Sequence, residues 1–182
     1  MPDRDMLRKL DKEQLVDLLE DAAKNWLAHD GVWFQAVERH FGMEAAVQCD
    51  AEAWEQFTAI EARRIMQRHG IPEGSGLEGL EQALHLRLYA RLNEQTTVRV
   101  DERRLRFEMN GCRVQEARHR KGLVDFPCKP VGLVEYAGFA QTIDPRIRTR
   151  CIACPPDPHP GAYWCAWEFT LDEGMSKESA QS

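Results

Sequence analysis

The sequence predicts an α+β fold: an N-terminal helical bundle packed on a four-stranded antiparallel sheet, in the order ααα-ββ-αα-ββ. Two observations carry this. Apolar residues recur at helical spacing up to about residue 93, and from Thr96 the period becomes two. Runs of helices followed by strands put helices on one face of an antiparallel sheet. We expect a single α+β domain over residues 1–171, with a helical part at 11–93, a sheet part at 96–171 and a disordered polar tail at 172–182.

The first helix is marked by Leu15, Leu18, Leu19, Ala22, Trp26, Trp33, Val37 and Phe41, spaced to fall on one helix face. Asp11 with Gln14 is close to a capping box, and Gly42 stands where a C-cap glycine belongs. Gly31 is a point where this helix would bend or break. A second helix is expected from Asp50 as N-cap through Trp54, Phe57, Glu61, Ile65 and Met66 to Gly70-Ile71-Pro72. A third follows over 77–92, carrying Leu80, Leu84 and Leu88.

Thr97-Val98-Arg99-Val100 reads as a strand and Asp101-Glu102 as a turn. Leu105, Phe107 and Met109 alternate with Arg104, Arg106 and Glu108, giving a strand with one wet face. Helices are expected over 113–121 and 131–143, and a strand over 147–153. Cys154-Pro155-Pro156-Asp157-Pro158-His159-Pro160-Gly161 must be loop, because proline removes backbone donors. Tyr163, Cys165, Trp167, Phe169 and Leu171 form one face of the last strand.

No apolar run approaches the length of a membrane span, so no membrane partner is expected. The opening Met1-Pro-Asp-Arg-Asp lacks a signal-like apolar stretch, and we expect a cytoplasmic protein. Net charge is −6, and residues 1–98 carry 11 Lys+Arg against 18 Asp+Glu. Arg99, Arg103, Arg104, Arg106, Arg113, Arg118, Arg120 and Lys121 make a local basic stretch, interleaved with Asp101, Glu102, Glu108 and Glu116. An acidic chain without aromatics on its basic face is a poor nucleic-acid binder, and no nucleic-acid partner is expected.

Five of the six cysteines lie after residue 111: Cys112, Cys128, Cys151, Cys154 and Cys165. In a reducing compartment clustered thiols point to a metal or to thiol chemistry, with packed core cysteines the structural alternative. Cys151 and Cys154 have the Cys-x-x-Cys spacing that gives zinc two ligands from one turn. A strand extended through Cys154 would put the two on opposite faces, so a turn near Ile152 is needed to unite them. Zinc held by Cys112, Cys128 and at least one of Cys151 and Cys154, with Cys165 as the fourth ligand, is the expected cofactor. Cys128 opens a helix after Pro127 beside Lys129, a position where the dipole would lower a thiol pKa. Cys154, Asp157 and His159 combine nucleophile, carboxylate and imidazole in six residues, and are the candidate catalytic set.

Asp30 interrupts the apolar stripe between Trp26 and Phe34, and Glu61 the stripe between Phe57 and Ile65. A carboxylate in an apolar face must be paired, protonated or bound, because burying it bare costs several kcal/mol. His29, Arg63, Arg64 and His85 are the available partners. One reading is an ion pair tying two helices together. The other is a ligand pocket formed by Trp26, His29, Asp30, Trp33, Trp54, Glu61 and Arg64.

The chain resembles a prokaryotic cytosolic family of unknown function over residues 12–171. The resemblance rests on Trp26-Leu27-Ala28-His29-Asp30-Gly31, Trp54 with Glu61-Ala62-Arg63-Arg64-Ile65-Met66, Cys112-Arg113-Val114-Gln115 and Phe126-Pro127-Cys128-Lys129. It continues in Asp144-Pro145-Arg146-Ile147, Cys154-Pro155-Pro156-Asp157 and Trp164-Cys165-Ala166-Trp167-Glu168-Phe169. The second half is distantly similar to the 2-amino-thiazoline-4-carboxylate hydrolases, through Cys112 and Cys154-Pro155-Pro156-Asp157. It is similar also to vinyl-4-reductase-like ligand-binding domains, whose cysteines can hold zinc. These resemblances imply a small-molecule-binding α+β fold with functional cysteines. The expected function is small-molecule binding at a cysteine-rich zinc site. The alternatives are hydrolysis of a small cyclic amide or thiazoline, and a structural module that forms a homodimer.

Overall fold

The computed structural model describes residues 4–172. Helices α1 (Lys12–Phe41), α2 (Met43–His69) and α3 (Gly76–Leu86) precede strands β1 (Glu94–Asp101) and β2 (Arg104–Gly111). Helices α4 (Arg113–Arg120) and α5 (Lys129–Ile143) follow, then β3 (Ile147–Ala153) and β4 (Cys165–Leu171). The sheet order is β1-β2-β4-β3, antiparallel throughout. The predicted α+β class and element order are what the structure has. The expected tail from 173 onward lies outside the described residues.

Local signals explain most boundaries. Asp11 accepts from the Gln14 backbone N–H while the Gln14 side chain accepts from the Asp11 N–H, a complete capping box. Gly31 does not interrupt α1; its helical backbone needs no special conformation there. The break comes at Gly42, whose φ of 87° only glycine adopts readily. Helix α2 therefore starts at Met43, and Asp50 is a mid-helix residue, not the expected N-cap. Helix α3 stops at Leu86, because Arg87 turns extended before a short 3-10 turn at Leu88–Arg91.

The helices lie on one side of the sheet in successive layers. Helices α3 and α5 contact the strands, α2 packs on α5, and α1 packs on α2 and the 88–91 turn. Leu105, Phe107, Trp167 and Phe169 form the buried face of the sheet with Leu80, Leu84, Phe139 and Ile143 above them. Close approach of α5 needs glycine: a Cβ on Gly132 would stand 2.6 Å from the Trp167 ring, and one on Gly138 would stand 2.6 Å from Thr58. The opposite sheet face is wet and charged. There Arg106 pairs with Glu108 at 2.6 Å and Arg150 with Glu168 at 2.8 Å. The basic stretch is thus partly neutralised by its own neighbours, Arg99 by Glu81, Arg104 by Asp101 and Arg118 by Glu38.

A bulge resolves the parity of the Cys-x-x-Cys pair. Cys151 is opposite core-facing Trp167, but the next register pair is Ala153 with Ala166. The extra residue on β3 lets Cys151 and Cys154 both join the core side.

Candidate ligand-binding site

The apolar run of α5 is interrupted by Glu135, which is buried, as is Arg87 at the end of α3. Arg87 donates through Nε to Glu61 at 2.9 Å, and its Nη2 lies 2.7 Å from Glu135 Oε1. The second approach is a charge contact without hydrogen-bond alignment, since neither Arg87 Nη2 nor Glu135 Oε1 has a well-directed partner among the described residues. Aromatic rings enclose the guanidinium: Phe139 at 4.7 Å, Tyr89 at 5.3 Å, Trp54 at 5.5 Å and Tyr136 at 5.7 Å. Burial pushes the Glu135 carboxyl up, while Arg87 pulls it back. The buried carboxylate is offset by the Arg87 cation, and that cation in turn by the ring faces around it.

Beside this cluster is a chamber of about 80 Å³ between α5 and the sheet. Tyr89, Tyr136, Trp167 and Phe126 supply its rings, Glu135 its charge, and Cys128, Cys154 and Cys165 its thiols. The Trp167 indole N–H is buried without a hydrogen-bond partner among the described residues. A cleft of about 300 Å³ between α1 and α4 also has Tyr89, Val114 and Phe126 on its wall, so these three residues separate cleft from chamber. Asp30 and Asp50 line the cleft, with Arg113, Arg120 and Lys121 on its other side. Desolvation and the neighbouring Asp30 and Glu135 charges raise the Asp50 carboxyl to about 7, against the pull of the Trp54 N–H. Asp30 is raised too, mainly by burial, with His29 opposing.

The expected pocket residues divide. Trp26 and Trp54 meet edge to face at 6.2 Å and both pack on Tyr89. Asp30 turns into the cleft, and Glu61 is the ion-pair partner of a cation absent from the expected set, Arg87. His29, Trp33 and Arg64 are exposed and lie outside both spaces. The reason is helical phase. The buried stripe of α1 runs through Ala23, Leu27, Asp30, Phe34 and Glu38, which puts Trp33 about a quarter turn away at 100° per residue. Arg87 and Glu135 were missed. Their signal was a charge inside an apolar stretch, Leu86-Arg87-Leu88 and Val134-Glu135-Tyr136.

The cysteines divide as well. Cys128 and Cys154 approach to 3.5 Å between sulfurs, and Cys165 lines the same chamber. Cys112 and Cys151 pack against the core but do not line that chamber. Among the described residues no group of three or more Cys, His, Asp or Glu side chains is arranged to hold a metal ion. The candidate catalytic set is not assembled either. Cys154 is buried at the chamber wall, Asp157 pairs with Lys129 at 2.5 Å, and the His159 ring lies tilted against Trp164 with centroids 5.3 Å apart. Proline geometry carries the loop outward, leaving Asp157 and His159 off the chamber wall.

Fold and site together make an α+β domain with an aromatic and thiol-lined chamber between α5 and the sheet. The chain belongs to the Family of unknown function (DUF6125), whose model matches residues 8–171. Among solved structures it is similar to the phenol-responsive sensory domain of the transcription activator PoxR, determined with phenol. That similarity has a TM-score of 0.52 at 16% identity, and covers 78% of this chain and 72% of the other. At that identity it shows a shared fold. No curated protein matches the chain. No helix among the described residues is long and apolar enough to cross a membrane.

Proposed function

We propose that the protein is a small-molecule-binding domain of the sensory type, with a compact aromatic ligand such as a phenol in the chamber. The observation that carries this is the chamber itself, ringed by Tyr89, Tyr136 and Trp167 with Glu135 as a buried polar group. Ring walls favour a flat apolar ligand through edge and face contacts. A misaligned Glu135 oxygen offers an acceptor to a hydroxyl, and accepting it inside a low-dielectric cavity rewards the matching ligand. At about 80 Å³ the chamber suits a ring with few substituents, and larger groups would extend toward the cleft. The solved structure of similar fold, a phenol-responsive domain, supports the same ligand class.

Calorimetric titration with phenol, cresols, catechol and benzoate tests the reading. We expect binding of the neutral phenols with benzoate disfavoured by Glu135. Val131→Phe, which fills the chamber, and Glu135→Gln, which keeps its shape, should each weaken binding tenfold or more. Absence of binding across the panel, or affinities indifferent to both substitutions, would overturn it.

A further inference from the structure

We propose that Cys128 and Cys154 are a redox-active pair that closes to a reversible disulfide when the chamber is reached by a peroxide. The two sulfurs stand 3.5 Å apart, inside van der Waals contact range for unbonded sulfur and a short movement from the 2.0 Å bond. The backbones that carry them are already joined. The N–H of Lys129, next to Cys128, donates to the carbonyl of Pro155, next to Cys154, at 2.9 Å. The Lys129 ammonium meets Asp157 at 2.5 Å one turn further along the same loop. Both cysteines also lie outside the regular strands: Cys128 caps α5 and Cys154 follows the end of β3, so neither bond closure must break a sheet ladder.

The two thiols are chemically unequal. Cys128 is half-buried, receives a long contact from Gln115 Nε2 at 3.6 Å, and is held below the usual thiol range chiefly by the Cys154 thiol donating to it. Cys154 is buried and its thiol is pushed up, first by the hydrogen bond to Cys128. Exposure assigns the roles: half-buried Cys128 meets the peroxide first, and buried Cys154 behind it closes the bond. The Cys128 thiolate attacks one peroxide oxygen, the O–O bond breaks, and the departing hydroxide takes a proton to leave as water. Sulfur of Cys154 then attacks the sulfur of the resulting sulfenic acid, the S–O bond breaks, and a second water leaves. In sum two thiols are oxidised by two electrons and one hydrogen peroxide is reduced to two waters. Glutathione-class thiols reverse the bond by exchange.

The bond would form in the chamber wall, so the ligand site proposed above would change with redox state. The pair itself does not depend on that reading. The test uses the full chain carrying Cys49→Ser, which removes an exposed cysteine that does not line the chamber. After stoichiometric hydrogen peroxide and alkylation of remaining thiols, peptide mapping by mass spectrometry should find Cys128 linked to Cys154. Of the five thiols then present, two should be lost to the alkylating reagent, and dithiothreitol should restore both. In Cys154→Ser the Cys128 peptide should instead carry a trappable sulfenic acid. All five thiols remaining alkylatable, or a bond joining Cys154 to Cys165 instead, would overturn the pair. Phenol binding measured on the same oxidised and reduced samples reports separately on the ligand reading.

Discussion

Helices α1 and α5 use apolar residues in opposite ways. Helix α5 buries Val131, Gly132, Glu135, Tyr136, Phe139, Ala140 and Ile143, spread around its circumference, because the sheet lies on one side and α2 on the other. Helix α1 is twice as long, yet Ala23 alone is fully buried. Leu15, Leu18, Leu19 and Trp33, its clearest periodic stripe, are 41–49% exposed, and Phe41 is 74% exposed. Periodicity therefore identified the helix without identifying the face that touches the rest of the molecule. Helix α5, apolar around its circumference apart from Glu135, is the helix around which the core and the chamber are built.

The sharpest way to break this contrast is at the ion pair under α5. Arg87→Met should destabilise the protein by about 3–5 kcal/mol in urea unfolding, because Glu61 and Glu135 are left buried without their cation. Helix α1 should yield nothing comparable. An effect below 1 kcal/mol would mean that water already screens the cluster.

A smaller effect should come from the cleft between α1 and α4. The Asp50 carboxyl holds its proton up to about 7, above the ordinary carboxylate range. The folded state then binds more protons than the unfolded one between roughly pH 4 and 7, so stability is greatest below that window and falls as pH rises through it. Asp50→Asn should flatten this fall and raise stability at pH 8, by on the order of 1 kcal/mol for each pH unit removed from the shift. Melting temperatures of the two proteins from pH 5 to pH 8 check it. Parallel profiles would place the titration elsewhere.

The smallest effect belongs to the exposed stripe. Trp33→Ser should change unfolding free energy by no more than about 0.5 kcal/mol, as a surface substitution does. A larger, concentration-dependent loss would show that a partner covers this face of α1.

Much of the fold was legible in the sequence. The capping box at Asp11, the alternation of Leu105, Phe107 and Met109, and the proline loop after Cys154 each act through neighbouring residues, and local rules read them correctly. The start of α2 was misread, because Asp50 looks like a cap whereas the break rests on the positive φ of Gly42. The site was legible in part. Asp30 and Glu61 were recognised as carboxylates in apolar stripes, and Cys128 and Cys154 as thiols that matter.

What the sequence by itself determined was therefore periodicity, caps and breaks, and which residues could bear chemistry, since these depend on spacing along a few turns. Partners came from the tertiary structure. Glu61 lies 26 residues from Arg87, and Cys128 lies 26 from Cys154. Pairs so far apart meet only when whole elements dock, and a one-residue bulge in β3 or a quarter turn of α1 decides which side chains reach the chamber. Packing fixes those offsets through contacts such as Gly132 against Trp167, and no local pattern in the chain records them.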